Sequence, residues 1–303
     1  MGTLFAGLLA AGGHQVWLLG RRREVVEAIQ RDGVAIVSAR RRRRIRVAAT
    51  LDAREIGPAD LVLMCVKSYD TLEASKDALP VLGPETPVLT LQNGLNNVET
   101  IASVVGRERT MAGVTAHGAT LLGPGLVRHG GEGETALGEL DGRDTERLRR
   151  VVEAFRQAGI ATEVSSSVGS LVWGKLVVNA SINPLTALLK VRNGQLLALP
   201  ETRDLMAALA REAAAVAQKL GKVLPYDDPV ERVETVCRLT ASNRSSMLQD
   251  LERGTPTEID YINGAVVGQG EAVGVPTPVN WTLTQLVRAQ QRLRTASTAP
   301  SSP

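Results

Sequence analysis

Residues 61–91, LVLMCVKSYDTLEASKDALPVLGPETPVLTL, decide the fold class of this chain. The segment contains a continuous apolar run at 61–66, a helix-like stretch at 70–79 and a second strand-like run at 87–91. Continuous apolar runs of this length are typical of parallel strands that are buried on both faces. The segment therefore predicts a strand–helix–strand unit of a parallel sheet.

The same alternation continues on both sides of this segment. Before it, the patterns predict a helix at 3–11, a strand at 15–19 and a charged, amphipathic helix at 24–31. After it come strand-like pieces at 111–116 and 125–129, a helix at 144–158 and a short strand at 160–164. Alternating strands and helices predict an α/β layer.

After about Ser165 the sequence becomes almost entirely helical. Its pattern predicts helices at 167–181, 185–190, 201–220, 229–241, 244–253, 258–273 and 279–293. The last residues, TASTAPSSP, are small, polar and proline-rich, as in disordered tails. We therefore predict an α/β domain over 1–165, an all-α domain over 166–293 and a disordered tail over 294–303.

The composition is that of a globular protein. Apolar residues make up 44% and charged residues 22% of the chain, and the formal net charge is only +3, which gives no general case for nucleic-acid binding. No apolar run reaches the roughly 18 residues that a membrane helix needs. Cys65 and Cys237 lie far apart, and the three histidines show no metal-ligand spacing. We expect a cytoplasmic protein without disulfides, metal or membrane contact.

The most basic stretch is a run of arginines, Arg40 to Arg44 plus Arg46. It lies between VAIVS and IRVAAT, which predicts a two-stranded excursion with its polar side in water. A nucleic-acid interface would need interleaved aromatic residues or a second basic face, and neither is evident. We therefore interpret the run as a solvated or anion-attracting surface, with no nucleic-acid partner.

The N-terminal residues fit the later part of a dinucleotide-binding motif. Met1 and Gly2 would be the last two residues of a GxGxxG turn, so that the first strand and the first two glycines would precede residue 1. Gly20 is followed by Arg21, where an NAD-selective fold would place Asp or Glu. Arginine binds a 2′-phosphate bidentately, so NADP is favoured if a dinucleotide binds. The alternative is a solvated basic helix start.

Polar residues follow both strands of the deciding segment. Lys67 comes directly after the first strand, and Asn93 and Gly94 come just after the second. The carboxyl ends of parallel strands are where ligands bind in open α/β sheets. The alternatives are a solvated loop at Lys67 and an ordinary turn at Asn93–Gly94.

Residues 173–189, WGKLVVNASINPLTALL, hold the densest polar cluster of the second half. Lys175 and Asn179 share one face of a helix, and Asn183 lies slightly further round. We expect Pro184 to break the helix, with Asn183 as the N-cap of the next one, and Asn193–Gly194 to end that short helix in a left-handed cap. The lysine either extends to the surface or is desolvated, with a lowered pKa, and donates a proton.

Residues 243–263, NRSSMLQDLERGTPTEIDYIN, form a second cluster. Asn243, Ser245 and Ser246 are small hydrogen-bond donors that can meet a carboxylate. Glu258 stands at a predicted helix start, where the helix dipole favours its ionised form. An ordinary capped helix has the same appearance.

These two blocks, together with VKSYDT at 66–71, LQNGLNN at 91–97 and TAHGA at 115–119, resemble the ketopantoate reductase family over essentially the whole chain. The resemblance implies an enzyme with an NADP-binding Rossmann-like half and a helical half, and it allows for a homodimer. Its reaction would be the NADPH-dependent reduction of 2-dehydropantoate, a small 2-oxo acid, to pantoate in pantothenate biosynthesis.

The resemblance also implies roles for individual residues. Lys175 matches the catalytic acid, and Glu258 matches a carboxylate that binds near the nicotinamide ribose and orients the site. Substrate-contacting positions are matched by Asn179, Asn183, Asn193 and Ser246, with Asn243 and Ser245 as further candidates. Cofactor-contacting positions are matched by Gly2, Arg21, Lys67, Asn93 and Ala119, to which we add Gly94.

Two departures from the family pattern stand out. The missing first strand would be the central strand of the sheet, and its neighbours would lose their ladder partners. The start codon is then placed too late, or the chain is a damaged paralogue, and the intact later motifs favour a late start. Gln92 before Asn93 is interpreted as tolerated variation. Alternative functions are a paralogous reductase of another small 2-oxo acid and a catalytically impaired NADP-binding protein.

Overall fold

The computed structural model describes residues 1–38 and 41–298, without the side chains of 295–298. It divides into two compact units. The N-terminal unit contains residues 1–92 and 97–168, and the helical unit contains residues 93–96 and those from 169 onward. The division at 168/169 lies three residues after the predicted position, and the segment 93–96 was not expected to leave the N-terminal unit.

The N-terminal unit alternates strands and helices as predicted. Its strands are β1 (Trp17–Leu19), β2 (Val34–Val37), β3 (Arg42–Ile45), β4 (Ala48–Thr50), β5 (Val62–Met64), β6 (Val88–Thr90), β7 (Thr110–Thr115), β8 (Gly118–Gly123), β9 (Leu126–Gly131), β10 (Thr135–Glu139) and β11 (Thr162–Val164). Its α-helices are α1 (Gly2–Ala11), α2 (Arg23–Asp32), α3 (Thr71–Asp77), α4 (Asn97–Val105) and α5 (Glu146–Gln157). Single 3₁₀ turns occur at Ala53–Glu55, Ser68–Asp70, Leu79–Val81 and Arg107–Arg109.

The largest sheet has the order β11-β10-β7-β6-β5. Strands β5, β6 and β7 are parallel neighbours, which confirms the strand–helix–strand prediction, whereas β10 runs antiparallel to β7. Leu89 and Leu137 of this sheet are fully buried against Phe5 from α1 and Phe155 from α5. Because β5 to β7 are parallel, their carboxyl ends lie at one edge of the sheet.

Strands β1 and β4 form a separate two-stranded parallel sheet. Among the described residues no strand is hydrogen-bonded to both β1 and β5. Leu19 of β1 and Val62 of β5 pack instead against one small cluster formed by Ala53, Ala78 and Val81. Side-chain packing therefore connects these two strands where a backbone ladder does not.

The arginine run lies on an edge strand. The third sheet has the order β3-β2-β9-β8, and β2 and β3 form the predicted two-stranded excursion. Arg41 to Arg44 are exposed, and Arg44 pairs with Asp32 at 3.2 Å. Charged side chains on an edge strand discourage pairing with another chain. Arg40, the first residue of the run, lies outside the described residues.

The helical unit confirms the all-α prediction. Its helices are α6 (Val168–Leu189), α7 (Pro200–Lys219), α8 (Pro229–Leu239), α9 (Ser246–Glu252), α10 (Asn263–Val273) and α11 (Pro278–Thr298), with 3₁₀ turns at Asn193–Leu197 and Ile259–Tyr261. Trp173 and Leu176 of α6, Leu209 of α7 and Val266 of α10 are buried in one core. No helix within the described ranges is long and apolar enough to cross a membrane.

The predicted helix break at Pro184 is wrong, and so is the predicted N-cap role of Asn183. Helix α6 continues through Pro184 to Leu189. Proline removes the donor that would bond to the carbonyl of Ala180, four residues earlier. The side-chain Nδ2 of Asn263 donates to that carbonyl oxygen at 2.9 Å, which explains why the helix can continue.

Three other boundaries differ from the sequence predictions. The left-handed residue after α6 is Lys190 (φ 58°), whereas Asn193 and Gly194 begin a 3₁₀ turn. The single helix predicted at 258–273 is interrupted at Ile262, whose ψ of −89° is not helical. Helix α11 reaches Thr298, so residues 294–298 of the predicted tail are helical, and residues 299–303 lie outside the described part of the chain.

Candidate active site

Lys175 lies on the first half of α6, between buried Gly174 and Leu176. It is half-buried, and burial lowers the pKa of its ammonium group to about 8, although the nearby carboxylate of Glu258 acts in the opposite direction. Loss of hydration disfavours the charged form of a lysine. A lysine with such a pKa can hold a proton at neutral pH and release it to a developing alkoxide.

Glu258 is held by a short, well-anchored loop. Its side chain is buried, and its backbone carbonyl accepts hydrogen bonds from the amides of Tyr261 and Ile262. The preceding residue, Thr257, donates its amide to Gln291 Oε1 at 2.6 Å, and its hydroxyl accepts from the amide of Ile259. These bonds fix the 3₁₀ turn that carries the carboxylate toward Lys175.

Asn179 and Asn183 follow Lys175 on α6 at intervals of four residues, so the three side chains lie along one side of the helix. Asn183 is 7% exposed, yet its amide makes no hydrogen bond within the described residues. The Asn179 amide also has no partner in that part of the chain. Asn179 is half-buried, and the amide atoms of Asn183 keep contact with solvent, so both amides are accessible to a polar ligand.

The other predicted substrate residues surround the start of α9. Ser245 is its N-cap: its hydroxyl accepts from the amide of Leu248 and from the hydroxyl of Thr186 on α6. Asn193 donates its side-chain amide to Thr240 at 2.9 Å, while its Oδ1 is buried without a partner in the described residues. The backbone amide of Asn193 bonds to the carbonyl of Asn243. These contacts are structural, and the substrate roles of this group stay predictions.

Ser246 is the first residue of α9 and is half-buried. Its neighbour Ser245 is bonded to α6 through Thr186, so the start of α9 is fixed relative to the helix that carries Lys175. The Asn243 side chain is exposed. Of these two predicted residues, only Ser246 combines partial burial with a fixed backbone.

The segment 93–96 belongs to the helical unit and lies against the turn that follows Glu258. The amide of Leu95 donates to the carbonyl of Tyr261 at 2.9 Å. Gly94 has a φ of 83°, and a Cβ atom there would collide with the same carbonyl group. Glycine is therefore required at this position by local packing. Asn93 and Gly94 belong to the helical unit, which also carries Lys175. Their position directly after a strand had indicated the N-terminal unit instead.

In the N-terminal unit, Arg21 lines a cavity of about 540 Å³ just beyond the end of β1. Arg21 is exposed and donates to Asp70 at 3.1 Å and to Asp77 at 3.3 Å. Two further cations line the same cavity, Arg54 and Lys76. Asp52 and Asp77 also line the cavity, so a phosphate bound there would replace these carboxylates as partners of Arg21 and Arg54.

Arg54 and Lys76 were not identified from the sequence. Arg54 forms a bidentate pair with Asp52, and its hydrogen bonds lower the pKa of that carboxyl to about 2. Lys76 pairs with Glu73 at 2.8 Å. The available signal was the position of DAR at 52–54, because these residues follow β4, the parallel neighbour of β1.

The remaining predicted cofactor residues lie near strand ends of the N-terminal unit. Lys67 follows the end of β5 and begins a 3₁₀ turn. Gly2 is the first residue of α1, and a Cβ atom there would be in ordinary contact with Cys65, which also follows β5. Ala119 lies on β8 and pairs with His129 of β9. Their contacts with a cofactor stay predictions.

Gln92 has a definite structural role, which its interpretation as tolerated variation missed. Its side-chain amide nitrogen, Nε2, donates to the carbonyl of Val66 at 2.9 Å and to the hydroxyl of Thr71 at 2.8 Å. Its Oε1 accepts from Thr90. Gln92 therefore connects the carboxyl ends of β5 and β6 to the start of α3.

Comparison with known proteins decides the family. The family model "Ketopantoate reductase PanE/ApbA" matches residues 1–142, and "Ketopantoate reductase PanE/ApbA C terminal" matches residues 168–291. The chain belongs to the ketopantoate reductase family. The 2-dehydropantoate 2-reductase of Halobacterium salinarum is 40% identical to it over 293 residues, which are 96% of each chain. That of Archaeoglobus fulgidus is 37% identical, over 95% of this chain and 94% of the relative.

Solved structures of the ketopantoate reductase family have the same fold. The PanE/ApbA family ketopantoate reductase of Ralstonia eutropha JMP134 aligns with a TM-score of 0.88 and 34% identity, over 96% of this chain and 95% of that one. A D-mandelate dehydrogenase with NADH and anilino(oxo)acetate aligns with a TM-score of 0.91 and 26% identity, over 97% and 96%. A nicotinamide dinucleotide is thus the cofactor class of this fold.

Proposed function

We propose that this protein reduces 2-dehydropantoate to pantoate with NADPH, as a step of pantothenate biosynthesis. The observation that carries the proposal is the lysine with a pKa of about 8 beside a buried carboxylate, in a chain that belongs to the ketopantoate reductase family. Relatives named 2-dehydropantoate 2-reductase that align over nearly the whole chain support the same substrate.

Lys175 has two tasks in the proposed reaction. When bound, NADPH supplies the hydride that reduces the ketone carbon of the substrate. Negative charge then develops on the carbonyl oxygen, and the Lys175 ammonium group stabilises it through a hydrogen bond. The same group transfers its proton to that oxygen, which becomes the hydroxyl of pantoate. Lys175 is left neutral and regains a proton from water.

The remaining polar residues of the helical unit bind and orient the substrate in this proposal. The amides of Asn179 and Asn183, which make no hydrogen bond within the described residues, donate to oxygen atoms of the 2-oxo acid. Because these amides are neutral, they place no further charge beside Lys175. Ser246 contributes a hydroxyl, and Asn193, Asn243 and Ser245 complete the surrounding loop. Glu258 contacts the nicotinamide ribose and keeps Lys175 in its charged form.

We infer that the cofactor is NADPH rather than NADH. The basic side chains of Arg21, Arg54 and Lys76 line one cavity after β1 and β4, where a 2′-phosphate would place its two negative charges. Gly2, Lys67, Asn93, Gly94 and Ala119 are the further cofactor contacts of the proposal. Because the structure of D-mandelate dehydrogenase contains NADH, the selectivity of this chain for NADPH over NADH should be measured.

A paralogous reductase of another small 2-oxo acid is the second candidate. D-mandelate dehydrogenase, named for a bulkier aromatic substrate, has a TM-score of 0.91 against this chain. Lys175 and the asparagines of α6 serve the ketone and carboxylate of any 2-oxo acid, whereas the rest of the pocket selects the side chain. The third candidate, a catalytically impaired NADP-binding protein, would bind NADPH without turnover.

One experiment separates these candidates. The purified chain is assayed for NADPH consumption with 2-dehydropantoate, 2-oxoisovalerate and benzoylformate, each also with NADH. We expect kcat/KM to be highest for 2-dehydropantoate with NADPH. A higher value for another acid would replace the substrate, and binding of NADPH without any turnover would support the impaired protein.

The setting of the enzyme also remains a proposal. We infer a cytoplasmic location, which the free thiols of Cys65 and Cys237 support, because an oxidising compartment favours disulfides. We further propose a homodimer with no nucleic-acid partner. Light scattering of the purified chain tests the homodimer. A salt-dependent mobility shift of DNA or RNA in the presence of the protein would contradict the absence of a nucleic-acid partner.

A further inference from the structure

Asn263, at the start of α10, is the residue that repairs α6 at Pro184. Pro184 has no amide hydrogen, so the carbonyl of Ala180 has no donor within the helix. The Nδ2 atom of Asn263 lies 2.9 Å from this carbonyl oxygen. Asn263 is completely buried, so water does not compete for the bond.

The orientation of the Asn263 amide is fixed by a chain of hydrogen bonds that ends at a carboxylate. Glu212 accepts from the backbone amides of Val279 and Asn280 at 2.9 Å, at the start of α11. A carboxylate only accepts, so Asn280 turns its Nδ2 toward Glu212 and its Oδ1 away from it. That Oδ1 accepts from Asn263 Nδ2 at 2.9 Å. The two hydrogens of the Asn263 amide are thus both used, one for Asn280 and one for Ala180.

The hydrogen bond from Asn263 to Ala180 leaves the side chain of Asn183 free of a capping role. An asparagine directly before a proline is well suited to cap a new helix, as the sequence predicted. Here the helix does not restart, and the amide of Asn183 makes no hydrogen bond within the described residues although only 7% of the residue is exposed. Asn263 performs the repair from another helix, so that Asn183 keeps its helical position and its amide stays available for a ligand.

We infer that Asn263 is a positioning residue for the substrate-binding side of α6. Its amide replaces the hydrogen bond that Pro184 removes and thereby holds Asn183 in helical register with Lys175 and Asn179. This inference rests on the proposed function, because the ligand of Asn183 is taken to be the 2-oxo acid. Asn263 itself does not touch the substrate.

Pro184 makes a rescue experiment possible. In the Asn263→Leu variant the carbonyl of Ala180 has no donor, and Asn183 is displaced from its helical position. We expect the KM for 2-dehydropantoate to rise about tenfold or more, the usual effect of losing a hydrogen bond to a charged group such as the substrate carboxylate. The KM for NADPH should change by less than about twofold, because the cofactor contacts of the proposal do not depend on this bond. In Asn263→Leu/Pro184→Ala the backbone amide of the introduced alanine replaces the missing donor, and the KM for 2-dehydropantoate should return to within about threefold of the wild-type value.

Ser181→Ala is the matched control. Ser181 is also fully buried on α6, and its hydroxyl donates to the carbonyl of Val177 at 2.8 Å. That carbonyl keeps its ordinary backbone donor, the amide of residue 181, so removal of the hydroxyl leaves no group unsatisfied. We expect both KM values to stay within about twofold of wild type.

The outcomes are distinct. An elevated KM that Pro184→Ala does not restore, or an equal rise in both KM values, would overturn the inference. If Asn263→Leu does not fold, a folded double variant with near-normal KM supports it, and an unfolded double variant shows that Asn263 acts only in the core. The denaturation midpoints of the wild type, Asn263→Leu, Pro184→Ala and the double variant test the coupling between residues 184 and 263 without any substrate. Wild-type chain that shows no turnover would therefore refute the proposed function while leaving the coupling measurable.

Discussion

The two polar regions of the molecule hold their cations in opposite ways. Arg21 is exposed and is paired with Asp70 and Asp77, and its cavity neighbours Arg54 and Lys76 also have acidic partners. Lys175 is half-buried, and burial lowers its pKa to about 8. A cation that binds a phosphate must remain charged, whereas a lysine that donates a proton needs a pKa near the working pH. The difference in burial thus matches the difference in task.

The strongest way to break this comparison is to remove the lysine. For Lys175→Ala we expect kcat to fall about 10²–10⁴-fold, because both the proton donor and the charge that stabilises the alkoxide are lost. The measurement is steady-state turnover of 2-dehydropantoate at saturating NADPH. Lys219→Ala, at the exposed end of α7, is the control and should retain wild-type turnover. A near-normal kcat for Lys175→Ala would remove Lys175 from the mechanism.

The exposed arginine should affect one cofactor and not the other. In Arg21→Ala we expect the KM for NADPH to rise roughly 10–100-fold, since hydrogen bonds to a charged phosphate are lost, while the KM for NADH changes little. Steady-state kinetics with each cofactor provide the values. The selectivity is the informative quantity, because a general structural defect would weaken both cofactors alike.

Arg46→Ala is the matched control for Arg21. Arg46 is an exposed arginine of the same unit that does not line the cavity. It tests whether the positive charge of the unit as a whole, rather than the local contact, attracts the more negative cofactor. Equal losses in the two variants would contradict a specific role for Arg21.

The pKa of Lys175 predicts how the reaction depends on pH. The acid must be protonated in the free enzyme, so kcat/KM for reduction should fall about tenfold per pH unit above pH 8. The charge of Glu258 raises the pKa of Lys175, so Glu258→Gln should move this decline to lower pH. The pH profiles of the two proteins, with buffers of constant ionic strength, give the comparison. If kcat/KM declined at the same pH in Glu258→Gln as in the wild type, Lys175 and Glu258 would not interact electrostatically.

Much of the fold could be predicted because local patterns and global structure agree in the segment 61–91. The first of its two parallel strands is a continuous apolar run, and all four boundaries of the two strands were placed within two residues. Strands β8 and β10 were missed because GATLLG and TALGE contain glycine and few β-branched residues. Helix α4 was missed because its first residues, Asn97 and Val98, continue a loop-like asparagine-rich stretch.

Sequence patterns failed to predict parts of the candidate site where a residue distant in the sequence overrides a local structural preference. Pro184 by itself predicts a helix break. Asn263 prevents the break, because its side chain donates to the carbonyl of Ala180, which lies 83 positions earlier in the sequence. Gln92 looked like free variation because Val66 and Thr71 approach it only in the folded sheet. The pattern of Lys175, Asn179 and Asn183 was accessible, since helical spacing alone places them on one side.

The smallest predicted effect concerns stability, and it tests the burial of Lys175 without any substrate. The folded-state pKa of Lys175 is about 8, against 10.5 in the unfolded chain, so between these values the unfolded chain binds more protons. The wild type should therefore gain stability relative to Lys175→Met as the pH rises from 8 to 10.5. Allowing for the partial exposure of the side chain, we expect a relative gain of about 1–2 kcal/mol. Below pH 8 the difference between the two proteins should be constant, because Lys175 is then charged in both states.

Denaturant unfolding of the two proteins at several pH values measures this difference, and all other titrating groups cancel in the comparison. Lys219→Met, which removes an exposed lysine at the end of α7, serves as the reference. A flat difference for Lys175→Met would mean that Lys175 is as well hydrated as Lys219. The two regions would then hold their cations in the same way, and burial could no longer explain why Lys175 donates a proton while Arg21 keeps its charge.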